Sequence, residues 1–424
     1  MQVTPAMPPE RAREIAASFD LRALPPDFYA NPYPVYAALR EAEPVRRMPD
    51  SSWFLTRYAD LVAVYRDAHA FSSDKKVEFT PKYGAGSPLL AHHTTSLVFN
   101  DPPLHTRVRK LIMGALTRRA IADMEPGLVL LVESLLDAIE AKGGGDLIED
   151  FASAIPVEII GNLLAVPREE RGPLRGWSLA ILGALEPKLT REQEDLGNRS
   201  VREFLDYLQV LVADRRRHPG DAEHDVLTRL IQGESGGEKL SEAELLQNCI
   251  FILNAGHETT TNLIGNALVA LQEWPGQKDQ LVRTIGKAPD WNALEPAMTL
   301  AVDEFLRFES SNQLGNRRAV HACEVGGVAL PEGALVTLCI GAANRDPAQF
   351  ANPDMLDLAR ENNRHLAFGF GIHQCAGLSL ARLEGRVAIG RFLARFPRYR
   401  LTEAPTRGGR ARFRGFLAAP FAVA

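Results

Sequence analysis

The stretch SEAELLQNCIFILNAGHETTTNLIGNALVALQEW, residues 241 to 274, limits the fold more than any other part of this 424-residue chain. Ser241 and Glu244 make a capping box, so a helix starts here. The pattern runs to about Trp274, giving a helix of roughly 33 residues and about 50 Å. Its middle is apolar on most faces, so other elements must wrap it. At its centre stand Ala255, Gly256, His257, Glu258, Thr259, Thr260 and Thr261. Glycine weakens a helix, and a buried polar cluster costs desolvation. Local rules broken together mark a functional place. The plain alternative is a helix turned partly to solvent at that point.

The remaining chain supplies the wrapping. Helical patterns dominate from about residue 105 to 310. Short strands with Gly-Gly and Pro-Glu-Gly turns follow over about 318–342. A last helix is expected over 376–396, with Leu380, Leu383, Val387, Gly390 and Ala394 on one stripe. The tail TRGGRARFRGFLAAP reads as a hairpin. The fold class is therefore mainly α with a smaller β region. No repeat and no linker interrupts the chain, so a single domain over 1–424 is expected. Its Pro-rich residues 1–28 read as an extended N-terminal arm.

The composition is globular, with 46% hydrophobic and 24% charged residues. A formal net charge of -5 argues against a nucleic-acid partner. No 18-residue apolar run and no apolar core of signal length occur, so a cytoplasmic protein with reduced thiols and no membrane span is expected. The four cysteines, Cys249, Cys323, Cys339 and Cys375, are scattered without a CxxC pair, which leaves no zinc or iron–sulfur spacing.

Cys375 is unlike the others. It sits in HLAFGFGIHQCAG, at the start of the last helix, where free N–H groups and the helix dipole favour an anion. Gly369, Gly371 and Gly377 let the backbone curl toward the sulfur. Such a place is expected to lower the thiol pKa and favour thiolate. A thiolate there suits a nucleophile, with His373 as its base, a redox sensor or a metal ligand. A buried structural cysteine is the plain alternative.

Phe368, Gly371, Cys375 and Gly377 match every fixed position of FxxGxxxCxG, and the segment resembles the heme-binding signature of the cytochrome P-450 family. The resemblance implies heme b held by Cys375 as thiolate ligand to the metal, with Phe368 packed beside the sulfur. Four further motifs appear in the family's order. Glu304 and Arg307 resemble its ExxR pair, which braces the cysteine loop. Its usual third partner falls at Met355 here, so Arg360 or Arg364 is expected to substitute. The Ala255–Thr260 cluster resembles AGx(D/E)TT, which implies room for O2 at Gly256, a hydrogen bond to oxygen from Thr259 and proton relay through Glu258. DPPLHTRVRK resembles DPPxHxxxR, which implies that His105 and Arg109 bind the heme propionates. His373 and Arg317 complete that clamp, with Arg318 competing for Arg317's place. The resemblance runs from about 28 to 420 and implies the cytochrome P-450 fold, with the long helix over the heme.

It also implies a monooxygenase that inserts one atom of O2 into a small organic substrate. Electrons would come from a ferredoxin, or a flavodoxin, and its NAD(P)H-dependent reductase. Arg109, Lys110, Arg118 and Arg119 offer a basic docking face, or merely a solvated one. The substrate walls are expected at 75–100, about 173–198 and 310–316. The last, SSNQLGN, suggests a substrate with hydrogen-bonding groups. Lys75, Lys76 and Lys82 hint at a carboxylate, although loop lysines are ordinarily just solvated. The rivals are a peroxide-driven peroxygenase, a non-catalytic heme sensor and a cysteine hydrolase. The complete Glu258–Thr259 relay argues against the first two.

Overall fold

The long helix runs from Glu242 to Glu273. Its start is closed in both directions: the Glu244 N–H donates to the Ser241 hydroxyl, and the Ser241 N–H donates to the Glu244 carboxylate. The computed structural model describes residues 7–423 apart from 223–224 and 236–237. Helices Ala154–Leu163, Leu174–Gly183 and Leu378–Arg395 pack against this central helix. Leu253, Leu263, Ile264, Leu268 and Val387 are buried in the core between them. Nearly continuous apolar character is what lets one helix serve several neighbours at once.

The β region is small and sits to one side. A five-stranded sheet runs in the order Val45–Arg47, Trp53–Leu55, Leu335–Cys339, Leu314–Ala319 and Phe71–Ser72. Leu338 pairs with Gly315 and Val336 with Arg317, antiparallel, while Trp53 pairs with Val336 in parallel. This register fixes the Gly315–Arg317 segment, which becomes a wall of the site. The tail forms the expected hairpin, with Thr406–Arg407 against Phe416–Ala418.

The N-terminus departs from expectation. Of the expected arm over 1–28, residues 1–6 lie outside the described residues, and the rest is not extended throughout: Pro9–Ser18 is a helix, and Pro26–Ala30 another short one. Each begins with proline at its first turn, where the missing N–H costs nothing. The first packs on helix Tyr33–Ala42 and buries Ala12 and Ala16. Phe19 then meets Phe54 edge-on at 5.1 Å.

Helix Trp291–Phe308 carries Glu304 and Arg307 on one face, and neither side chain is exposed. Arg307 grips both oxygens of Glu304, at 2.7 and 2.8 Å. Its remaining donors reach the carbonyls of Asn344, Pro353 and Met355. Glu304 in turn accepts from Arg360 and Asn363, at 3.0 Å each, and from the Asp357 N–H at 2.9 Å. Arg360, rather than Arg364, thus fills the third place. Met355 contributes only its carbonyl, which any residue has. Removing one member of so buried a pair strands the other. Arg307→Met is expected to cost about 3–5 kcal/mol of stability, read as a lower midpoint in urea unfolding.

Candidate functional site

The segment after the brace delivers Cys375. The Leu366 N–H donates to Asn344 at 2.6 Å, and the Cys375 N–H to the Phe368 carbonyl at 2.8 Å. Gly369 and Gly371 take φ of +65° and +73°, where a side chain is strained. At Gly371 a Cβ would also lie 2.2 Å from the Tyr65 carbonyl oxygen. Only glycine lets the loop lie against helix Tyr58–Arg66. Arg382, from helix Leu378–Arg395, sits over the Phe368 ring at 5.0 Å and donates to Asp303 at 2.7 Å.

Cys375 lines a cavity of about 330 Å³. Burial raises its thiol pKa. The Gly377 N–H, Arg109 and Arg382 pull the other way but do not win. This corrects the expectation of a lowered pKa from the helix start alone: loss of water outweighs the dipole. A coordinated metal would deprotonate such a thiol outright. Cys249 and Cys339 are buried with thiols pushed up to about 12, the state of ordinary core cysteines.

At one side of the cavity stand Arg109, Arg317 and His373, with His105 against His373. The two imidazoles lie 4.1 Å apart, centroid to centroid. Both ring nitrogens of His105 and Nε2 of His373 are buried without a hydrogen-bond partner. Burial first, then Arg317, His105, Arg109 and Lys75, together lower the pKa of His373 to about 2. Burial and then Arg109 lower that of His105. Arg317 and Arg109 both line the cavity. Arg318 is paired with Glu78 at 2.9 Å and is not among the residues lining the cavity. One thiol, with orphaned donors and cations across the same cavity, is a donor set that fits a metal macrocycle bearing carboxylates.

The opposite wall is the central helix. Ala255, Gly256, Thr259 and Thr260 line the cavity. The Thr259 hydroxyl donates to the Ala255 carbonyl at 2.7 Å. Ser311 donates to the Thr259 carbonyl at 2.8 Å, which ties the helix to the segment before the sheet strand. At Gly256 a Cβ would lie 2.5 Å from Ile160 Cδ1, so close helix packing adds a reason for glycine there.

Glu258 points away from that cavity into a second one, of about 20 Å³, shared with His257, Arg175 and Arg410. That is room for one water. Arg410 donates to Glu258 Oε1 at 2.6 Å, while Oε2 has no partner. Burial raises the carboxyl pKa to about 7, and Arg410 restrains the rise. His257 is buried and pushed down to about 3, so it stays neutral. Sequence reasoning missed Arg410, which lies 152 residues from its partner and carries no motif. It also missed Glu384, buried on helix Leu378–Arg395 and pushed up to about 8 by burial, and the cavity-lining His92, Asn254 and Arg412.

The expected substrate walls all reach the cavity, through His93 and Leu97, Leu182 and Leu185, and Ser311, Asn312 and Leu314 to Asn316. Of the three lysines, Lys76 is exposed and paired with Asp74, and Lys82 donates to the Glu186 carbonyl. Lys75 is buried. Of the basic face, Lys110, Arg118 and Arg119 are exposed, but Arg109 turns inward.

Comparison with known proteins agrees with this geometry. The Cytochrome P-450 family model matches residues 182–405. Cytochrome P-450 107B1 of Saccharopolyspora erythraea is 36% identical, covering 91% of this chain and 93% of that protein. The vitamin D(3) 25-hydroxylase of Pseudonocardia autotrophica is 38% identical, covering 87% of each. Among solved structures, P-450BioI in complex with hexadec-9Z-enoic acid ligated acyl carrier protein superposes with a TM-score of 0.86 at 32% identity, over 94% of this chain and 99% of that one. The chain belongs to the cytochrome P-450 family. It is a heme-thiolate monooxygenase that binds heme b and oxidises organic substrates with O2 and electrons from redox partners. Among the described residues no helix is long and apolar enough to cross a membrane.

Among the described residues Arg410 is the ion-pair partner of Glu258. Arg410→Met removes a charge that holds the Glu258 pKa down. The midpoint of its acid carbonyl band, followed by infrared difference spectroscopy against pH, is expected to move above about 7. An unmoved midpoint would mean that Arg410 does not tune this proton.

Proposed function

We propose that Cys375 is the axial thiolate ligand and that His105, Arg109, Arg317 and His373 hold the heme propionates. Phe368 and the Gly377 N–H shape the surroundings of the sulfur. The observation that carries this reading is that Cys375 and Thr259 face one cavity from opposite elements. Heme held there supplies the activation of O2 and the insertion of one oxygen atom into a substrate C–H bond.

The chain's own part is to place groups and protons. Ala255 and Gly256 leave the helix open toward the cavity. The Thr259 hydroxyl, turned from the Ala255 carbonyl, becomes a donor into the cavity. Glu258 holds a proton near neutral pH, where a relay group is most useful. Arg410 sets how firmly it holds it. Peroxide would bring its own protons, and a sensor needs none, so this arrangement favours the monooxygenase over either rival.

The cavity walls are mostly apolar, with Asn254, Ser311, Asn312 and Arg412 as polar points. They suit a lipophilic substrate with a few hydrogen-bonding groups, which agrees with relatives named for vitamin D(3) and for an acyl chain on a carrier protein. Electrons come from a ferredoxin, or a flavodoxin, with its NAD(P)H-dependent reductase, docked on Lys110, Arg118 and Arg119. The compartment is the cytoplasm.

Two variants test the assignment. Cys375→Ser is expected to lose the strongly red-shifted Soret band of the reduced protein under carbon monoxide; its retention would place the ligand elsewhere. Thr259→Ala is expected to keep that band while product formed per NAD(P)H falls by about 10²-fold and hydrogen peroxide rises to match. Unchanged product yield would remove Thr259 from the proton path.

A further inference from the structure

His93 stands on helix Pro88–Thr95 and Asn254 on the central helix, and both line the Cys375 cavity. Each is 2% exposed. Nε2 of His93 and Oδ1 of Asn254 are buried without a hydrogen-bond partner. The two residues meet through His92. Its ring centroid lies 5.0 Å from that of His93, and its Nε2 lies 3.4 Å from Asn254 Nδ2. A buried polar atom left unmet is costly, so a native fold holds few of them.

The polar groups nearby are committed elsewhere. His92 Nδ1 donates to Gln247 at 2.9 Å, which leaves its Nε2 to accept from Asn254. Asn248 accepts from the Leu97 N–H at 3.0 Å. Gln247, Asn248 and Asn254 thus tie helix Pro88–Thr95 and the turn after it to the central helix, and leave these two atoms over. The Tyr83 hydroxyl donates to the Ala184 carbonyl, the Ser96 hydroxyl to the His93 carbonyl and the Lys82 ammonium to the Glu186 carbonyl. Rings of Phe79, Tyr83 and Phe99 enclose that of His93, with centroids at 5.6, 5.5 and 5.7 Å. Burial, with His92, Lys82 and Arg412 adding to it, pushes the His93 pKa well below its usual value, so the ring is neutral. A neutral ring offers either a donor or an acceptor at Nε2, according to its tautomer. Asn254 Oδ1 can only accept. A carboxylate, a ketone or an ether brings no donor and leaves Oδ1 unmet. A hydroxyl donates to Oδ1 and can still accept from His93.

We propose that His93 and Asn254 form a hydroxyl-binding subsite of the Cys375 cavity, which anchors an apolar substrate by an alcohol group remote from the carbon that is oxidised. The inference rests on reading that cavity as the site of oxidation. Asn254 stands five residues before Thr259, about 7.5 Å along the helix axis. The alcohol is held at that remove from the threonine, so oxidation falls several bonds away from it.

The test uses the purified holoprotein and two isomeric probes, 1-dodecanol and 1-methoxyundecane, with dodecanoic acid as the anionic analogue. Equilibrium dialysis gives each Kd without reference to the heme. The alcohol is expected to bind about tenfold more tightly than the ether, the worth of one hydrogen bond. His93→Phe is expected to abolish that preference, and His93→Gln, which keeps an N–H donor, to restore most of it. Asn254→Leu enters the same comparison should His93→Phe not fold. A protein that binds the alcohol no better than the ether, or that favours the acid, overturns the proposal. So does a preference that survives loss of the His93 nitrogens. The carbon monoxide band of the unaltered protein reports separately on the heme assignment: a displaced band with the alcohol preference intact would move the ligand and leave the subsite standing.

Discussion

Glu304 and Arg307 lie one turn apart on a helix from which water is excluded, and every donor and acceptor they own must be met by protein. Meeting them draws in residues 344 to 363, a stretch without a regular element after its first turn. The segment that follows carries Cys375, so the sulfur's position is set by a pair of charges it never touches. A buried ion pair is poor evidence for net stability. Here its use is directional: each bond fixes a particular carbonyl or amide of an otherwise shapeless loop.

The central helix solves a different problem. It must be apolar to be central, and to handle protons, as proposed, it must break that rule. The structure separates these demands by face. Thr259 and Gly256 turn to the large cavity, and Glu258 turns to the small one with Arg410. Burial that would otherwise be a penalty brings the Glu258 carboxyl close to neutrality. The same burial raises the Cys375 thiol, against the pull expected from its helix start. Loss of water is the largest influence on the acidity of Glu258, His373 and Cys375 alike.

Much of this was legible in the chain because it depends on local signals. The capping box at Ser241, the Gly-Gly and Pro-Glu-Gly turns and the Cys375 segment each specify backbone geometry within a few residues. What was not legible depends on which distant segments meet. The partner of Glu258 comes from the tail, and the choice of Arg360 over Arg364 depends on the path of a loop. Proline misled at the N-terminus, since the residue that breaks a helix interior also begins one. Lys75 looked like other loop lysines, because burial is a property of the folded chain and not of the segment around it.

The tail loop sends Arg410 to Glu258 and, two residues on, Arg412 and Phe413 into the wall of the large cavity. The Glu186 carboxylate anchors the backbone amides of Ala411 and Arg412 between them. On the proposed function, substrate range and economy of electron use are therefore written on the same few residues. A lineage that reshapes this loop to admit a new molecule also resets the charge facing Glu258. Selection on one trait drags the other along, and an engineer who wants the first alone should leave residues 410–413 in place and recut the walls at 182–185.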